Sequence, residues 1–420
     1  MSLEPADPPR LSPRSVDHVA KLGDRSLFPG LVPLVYANHA GISPASFAVK
    51  QALVAWVDDS SRRGADAFPT WIAQRERLRE KLARLVGANA QEIAFEPNTT
   101  RGVSDVANCF PWKPGDVVVL FEGEFPANVT PWQLAARRHG LEIRWADARA
   151  FVTGESAALE ALDLLLEGAR LCAVSAVEFQ TGYRMPLEAI GERCRVRGAR
   201  FFVDAVQACG IVPVDVRASK IDFLACGSHK WLMGPEGAGF LFVDESRWAD
   251  LVPNVAGWLG HEEGLKFLFE GAGHLRYDRP IVRRPSFVEG GNLSSASFAG
   301  LEASLDLILQ IGTAKIFDHV QAFLDPVEPK LVEWGFTSIR AADPARRSGS
   351  PCLLPPGAVP VVELHRALGR YGIACAMPDG YLRFSPHWPN DLGEAEQVLA
   401  STEAALALVR SGEEPTDDPL

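Results

Sequence analysis

Residues 201–243 carry three short apolar runs, and the first two each stop at a polar or small group. Phe201-Phe202-Val203 ends at Asp204, with Gln207 three residues on. The run over 222–226 ends at Gly227, and Ser228-His229-Lys230 follow at once. A glycine-rich segment then leads into the third run, 239–243. Short β-prone runs that end in polar groups read as neighbouring strands presenting side chains at one rim of a sheet. Lys230 stands among small residues beside a histidine, a setting that suits Schiff-base chemistry. Taken alone it reads equally well as a surface lysine.

The rest of the chain supplies the cover for such a sheet. Helical periodicity runs over 45–57 and over 71–86, where Leu78, Leu82 and Leu85 share a face and Gly87 ends the helix. A short strand at 93–95 precedes Glu96-Pro97-Asn98-Thr99-Thr100-Arg101-Gly102 and a helix over 103–109. Strands at 117–121, 142–146 and 171–177 alternate with helices at 134–139, 156–167 and 188–197. That alternation indicates an α/β fold with a mostly parallel sheet covered on both faces. Residues 251–285 are irregular and long enough to suggest a functional or mobile loop. A helix over 298–311 links to a later α+β region, with a helix at 361–371, a strand at 373–375 and a last helix at 392–409.

Charge and composition exclude some functions. A net charge of −11 argues against a nucleic-acid partner. No apolar run approaches the length of a membrane span, and the first residues lack the apolar stretch of a signal peptide. A cytoplasmic protein with no membrane partner is the expectation. Seven cysteines at scattered spacing suit reduced core thiols better than a disulfide framework, and no metal-ligand spacing occurs.

The segment from Asp204 to Lys230, with Ser-His just before the lysine, resembles the active-site segment of the class V aminotransferase family. These are fold-type I pyridoxal-phosphate enzymes and include cysteine desulfurases, selenocysteine lyases, kynureninases and isopenicillin-N-epimerase-like proteins. The resemblance spans roughly residues 35–405. It implies a large domain built on a mostly parallel seven-stranded sheet between helices, and a smaller α+β C-terminal domain. The corresponding boundaries are an N-terminal extension over 1–30, a large cofactor-binding domain over 31–300, a small domain over 301–410 and a disordered tail over 411–420.

The resemblance also implies roles. Lys230 would carry pyridoxal 5′-phosphate as a Schiff base and, once displaced by substrate, move the Cα proton. Asp204 would pair with the cofactor's pyridinium nitrogen and Gln207 with its 3′ oxygen. Ser228, His229, Thr99 and Thr100 would hold its phosphate. Phe125, in Glu124-Phe125-Pro126-Ala127-Asn128, would stack on the ring, and Ser175 and Val177 would lie near it. Asn292 would reach the neighbouring subunit's phosphate in a homodimer, where the family commonly has threonine. Arg383 would bind a substrate carboxylate. Asn38 and His39 are candidate substrate contacts or simple turn residues. Arg101 stands where the family often has glutamate and has no assigned role.

The reaction stays open at this stage. An aminotransferase-like enzyme acting on an amino acid or amine is the first reading, and a carbon–sulfur or carbon–carbon lyase the second. Cys375-Ala376-Met377-Pro378 resembles the loop that carries a desulfurase's mobile cysteine, but the histidine-rich stretch before it is missing. Strand packing is the simpler reading of Cys375. A non-catalytic cofactor-binding protein is the contrasting class, opposed by the intact Asp204, Gln207 and Lys230.

Overall fold

A computed structural model describes residues 18–412 of the chain. Most of the extension expected over 1–30, and the tail from 413 on, lie outside the described residues. The central sheet has seven strands in the order β2-β8-β7-β6-β5-β3-β4. These are β2 (Ile93–Glu96), β3 (Val117–Glu122), β4 (Glu142–Asp147), β5 (Ala169–Ser175), β6 (Arg200–Asp204), β7 (Phe223–Gly227) and β8 (Gly239–Val243). Strand β8 pairs antiparallel with both β7 and β2, and the remaining ladders are parallel. Six strands therefore point one way and only β8 runs back.

The apolar runs of residues 201–243 give the reason. Phe202, Phe223, Ala225 and Leu241 turn to one face, with Val118 and Leu120 beside them. Phe201, Val203, Leu224, Phe240 and Phe242 turn to the other, with Val119 and Phe121. Alternate residues thus bury in two separate layers, so a strand sealed on both faces needs no polar position. Helices α3 (Thr99–Cys109) and α4 (Thr130–His139) cover the first face through Val103, Val106 and Trp132. Helices α1 (Phe47–Arg63), α2 (Phe68–Val86), α5 (Ala148–Leu165) and α6 (Leu187–Arg197) complete this part of the fold. Gly102 lets α3 lie close on β7, since a Cβ there would come within 2.9 Å of Ala225 Cβ.

Residues 251–285 hold only short turns and the single-turn helix α7 (Lys266–Phe269), with Leu268, Phe269, Leu275 and Tyr277 exposed. Helix α8 (Ser295–Ile311) packs on α1 and α2. Helix α9 (Thr313–Glu333) follows, and the sequence reading had no helix there. Pro326 and Pro329 lie inside it, and both rings are exposed. A carbonyl deprived of its N–H partner on a solvent face is satisfied by water, so the helix continues past two residues that normally end one. A small sheet of β9 (Thr337–Ser338), β10 (Cys352–Leu354) and β12 (Leu382–Arg383) comes next, with α10 (Val361–Arg370) and α11 (Glu394–Ser411). Strand β1 (Val35–Tyr36) pairs in parallel with β11 (Ile373–Ala374), which fastens the start of the described chain to its late region.

Candidate active site

The carboxyl ends of β5, β6 and β7 meet at one rim, because Ser175 stands opposite Asp204, and Asp204 opposite Ala225. Crevices outside the carboxyl ends of parallel strands are where α/β sheets bind ligands. Asp204 ends β6, is fully buried, and accepts one hydrogen bond, from Val206 N–H at 2.9 Å. Burial pushes its pKa up to about 6, against the pull of Lys230. It has no ion pair among the described residues. A buried carboxylate in that state favours a cationic partner.

Lys230 follows β7 in a tight turn. Met233 N–H donates to Lys230 O at 2.9 Å, and Met233 adopts a left-handed φ of 53°. Ser228 is sealed inside the same turn and donates to Pro235 O. Burial lowers the Lys230 pKa to about 8; Asp204 opposes the shift and Arg383 adds to it. The amine is a nucleophile only when neutral. Cofactor capture by cofactor-free protein should therefore rise about tenfold per pH unit below about 8 and level off above it. An exposed lysine would delay the plateau to about 10. Stopped-flow absorbance across a pH series checks this.

Lys230 Nζ lies 5.4 Å from the centroid of the Phe125 ring, which is 43% exposed at the mouth of the site. Phe125 meets Phe179 edge-on at 5.1 Å, and the Arg383 guanidinium lies 5.7 Å over the Phe179 ring. These contacts join the lysine to the arginine across two aromatic rings. Arg383 is buried, its Nη1 reaches only Phe179 O at 3.5 Å, and its Nε has no partner. An under-used buried guanidinium is a site prepared for an anion, and a carboxylate matches its paired donors.

Other expected residues are placed as follows. Thr99 is buried in the first turn of α3, and its Oγ1 accepts from Gly227 N–H at 2.9 Å, so it ties the helix to β7. Thr100 is exposed beside it, and His229 is half-buried. Gln207 accepts from Trp231 Nε1–H at 2.7 Å and donates to Ala40 O at 3.1 Å. Those bonds fix its amide, and one amide proton is left for another acceptor. Asn38 forms a bridge with Ser385 and leaves Oδ1 buried without a partner. His39 is buried, and its Nδ1 bonds Ser43 Oγ at 2.7 Å. Ser43 in turn donates to Lys230 O at 2.6 Å. His39 thus braces the lysine's backbone. Arg101 acquires a role: it pairs with Asp105 at 2.8 Å.

Asn292 is exposed on the connection into α8. The segment just before it is anchored. Glu289 pairs with Arg79 at 2.6 Å and accepts from Phe95 N–H at 3.2 Å, while Arg79 also donates to Ile93 O and lies 4.3 Å over Phe95. Arg79→Met removes one partner of a largely buried pair and should cost about 3 kcal/mol of stability, read by chemical denaturation.

Glu124 was missed by sequence reading. It accepts from Ser175 N–H at 2.5 Å and from Ser175 Oγ. Ser175 is therefore held by Glu124. Burial, with Asp204 nearby, pushes the Glu124 pKa up to about 8. Its position as the acid before Phe125 was the only signal.

The residues present fit the cofactor that the resemblance implies. Asp204 has no ion pair among the described residues, Lys230 is a partly buried amine, Phe125 offers an open ring face, and the start of α3 faces Gly227. A Cβ on Gly227 would sit 3.3 Å from Thr99 Oγ1 and 3.4 Å from the His229 ring, so a side chain there would crowd the cradle.

Comparison with known proteins agrees. The family model described as aminotransferase class-V matches residues 61–380. A probable cysteine desulfurase of Methanothermobacter thermautotrophicus is 30% identical over 289 residues, 68% of this chain and 69% of that protein. An uncharacterised aminotransferase of Bacillus subtilis is 26% identical over 376 residues, 89% and 95% of the two chains. Among solved structures, the cysteine desulfurase CsdA of Escherichia coli superposes with a TM-score of 0.80 at 23% identity, covering 92% of this chain and 98% of that one.

Proposed function

Because the chain belongs to the class-V aminotransferase family of pyridoxal-phosphate-dependent enzymes, we propose that it is aminotransferase-like, exchanging the amino group of an amino acid at Lys230. The observation that carries the reading is the pairing of one partly buried base, Lys230, with one under-used buried cation, Arg383, across the Phe125 and Phe179 rings. Amino-group exchange needs a base that moves a proton at the substrate Cα and a group that fixes the substrate. It needs no further nucleophile from the protein.

Bound pyridoxal phosphate supplies an electron-withdrawing ring that stabilises negative charge at the substrate Cα. Asp204 holds the ring nitrogen cationic, and Phe125 covers the ring and excludes water. Gln207, locked by Trp231 and Ala40, offers its remaining amide proton to the ring's oxygen. Thr99, Thr100 and His229 surround the start of α3, where the helix dipole favours the phosphate. Arg383 grips the substrate carboxylate, and Lys230 removes and returns the Cα proton.

Supporting arguments extend to organisation. We assign residues 31–300 to the cofactor-binding unit and 301–410 to the smaller one, joined through β1 and β11. We also assign a homodimer in which Asn292 serves the neighbouring subunit, in the cytosol, where seven buried free cysteines stay reduced. No helix among the described residues is long and apolar enough to cross a membrane.

A carbon–sulfur lyase is the second reading, favoured by relatives named cysteine desulfurase. The form of it that passes sulfur to a protein thiol has no support from the cysteines. Cys375 is buried, and burial pushes its pKa up to about 12. Ala376 and Arg383 then pair by two backbone hydrogen bonds, of 3.0 and 2.8 Å, which closes a short hairpin where a mobile loop would be needed. A reactive thiol needs exposure and a positive setting. Cys375→Ala should keep turnover within about twofold, because the packing change is small and the thiol takes no part. A loss of a hundredfold or more in steady-state assays of the folded variant would return the assignment to a thiol-dependent desulfurase.

A further inference from the structure

A cavity of about 740 Å³ is lined by residues that follow β5 and β6, and Lys230 is not among its lining residues. Its walls include Ala176 and Ala208, each next in sequence to a site residue, together with the start of α6 and the Ala345–Arg346 turn before β10. The volume suits a small-molecule ligand.

Arg84, Arg184 and Arg346 line the cavity together with Glu188 and Asp215. Arg184 is partly buried, and its guanidinium makes one long hydrogen bond, 3.3 Å to Pro213 O. No carboxylate lies within ion-pair distance of it among the described residues. Arg346 stands beside it, joined through Arg184 N–H to Arg346 O at 2.9 Å. Glu155 takes Arg346 Nε at 2.5 Å and Nη2 at 2.9 Å, which leaves Nη1 free for another acceptor. Helix α6 starts at the same wall, and no side chain caps it. The acids at the rim, Glu188 and Asp215, are exposed, and Asp215 is committed to the N–H groups of Arg217 and Ala218. Arg346 is offset by Glu155, whereas burial and the neighbouring Arg346 both disfavour the charge on Arg184, a penalty that an anion beside Arg184 would relieve.

We propose that this cavity is a second ligand site, which binds an anionic small molecule through a phosphate or carboxylate group held between Arg184 and Arg346. The uncapped first turn of α6 adds amide donors to the same group. Because Arg184 and Arg346 stand 162 residues apart in the chain, the ligand would fasten the loop that carries Phe179 to the turn before β10.

The test uses cofactor-loaded protein, so that the cofactor's own phosphate position is filled. Inorganic phosphate and succinate are titrated by calorimetry into the wild type, Arg184→Met, Ala345→Glu and Arg383→Met. One of the two anions should bind the wild type, and the one that binds identifies the group recognised. Affinity should fall at least tenfold in Arg184→Met. It should fall likewise in Ala345→Glu, whose exposed position spares the fold, and stay unchanged in Arg383→Met. Binding of neither anion, equal affinity in wild type and Arg184→Met, or a loss confined to Arg383→Met would overturn the proposal. Binding is read without turnover, so its failure leaves the reaction assigned to Lys230 untouched.

Discussion

Lys230→Ala should lose at least about a thousandfold in turnover, because the proposal gives this one amine both the cofactor's attachment and the movement of the Cα proton. The variant should fold normally, since burying an alanine in place of a half-compensated amine removes a desolvation cost. It should still hold pyridoxal phosphate non-covalently through Asp204 and the start of α3, without the yellow absorbance of a lysine-bound cofactor. Added methylamine or ethylamine should recover part of the rate, because a free amine can carry the proton that Lys230 carried. Unaltered turnover in the folded variant would remove Lys230 from the chemistry.

Arg383→Met should lower kcat/KM for amino acids by about a hundredfold or more, the scale expected when one partner of a buried charged hydrogen bond is truncated. The loss should fall mainly on KM, since the arginine binds the carboxylate before and during the reaction alike. Amines lacking a carboxylate should react equally well with both forms. The variant should also melt no earlier than the wild type: in the resting protein, Arg383 has an orphaned Nε and no ion pair among the described residues. That pairing of unimpaired stability with a large kinetic loss separates substrate binding from a structural role. A variant that melts early and loses activity toward all amines alike would instead make Arg383 structural. Arg383→Lys should restore little, because a point charge cannot reproduce two parallel donors.

The sheet and the rim were legible in the sequence for one physical reason. A strand buried on both faces must be apolar at every position, so Phe201 to Val203 and Gly239 to Val243 stand out, and Asp204 stands out where the first ends. Side chains that act through their own chemistry, such as Lys230 and Arg383, are visible as residue types in a resembling motif. Residues that act through a partner are not. Gln207 was expected from its spacing, but its clamp by Trp231 and Ala40 depends on a loop 167 residues earlier. Glu124 is an ordinary acid until Ser175 is brought against it from β5. Helix α9 was hidden because its two prolines signal a break in any local reading, and only tertiary packing puts both on the solvent side. The pairing of β1 with β11 was hidden because two-residue strands carry no period.

What one equivalent of amino acid does to the cofactor-loaded enzyme separates amino-group exchange from lyase chemistry. A panel of amino acids would be added singly, with no keto-acid acceptor present, while absorbance is followed and products are identified. At least one amino acid should convert the lysine-bound cofactor to its amine form, with one keto acid released per site and no further reaction until a keto acid is supplied. Continuous release of sulfide, alanine or ammonia with the lysine-bound absorbance restored after each turnover would contradict amino-group exchange and make the protein a lyase.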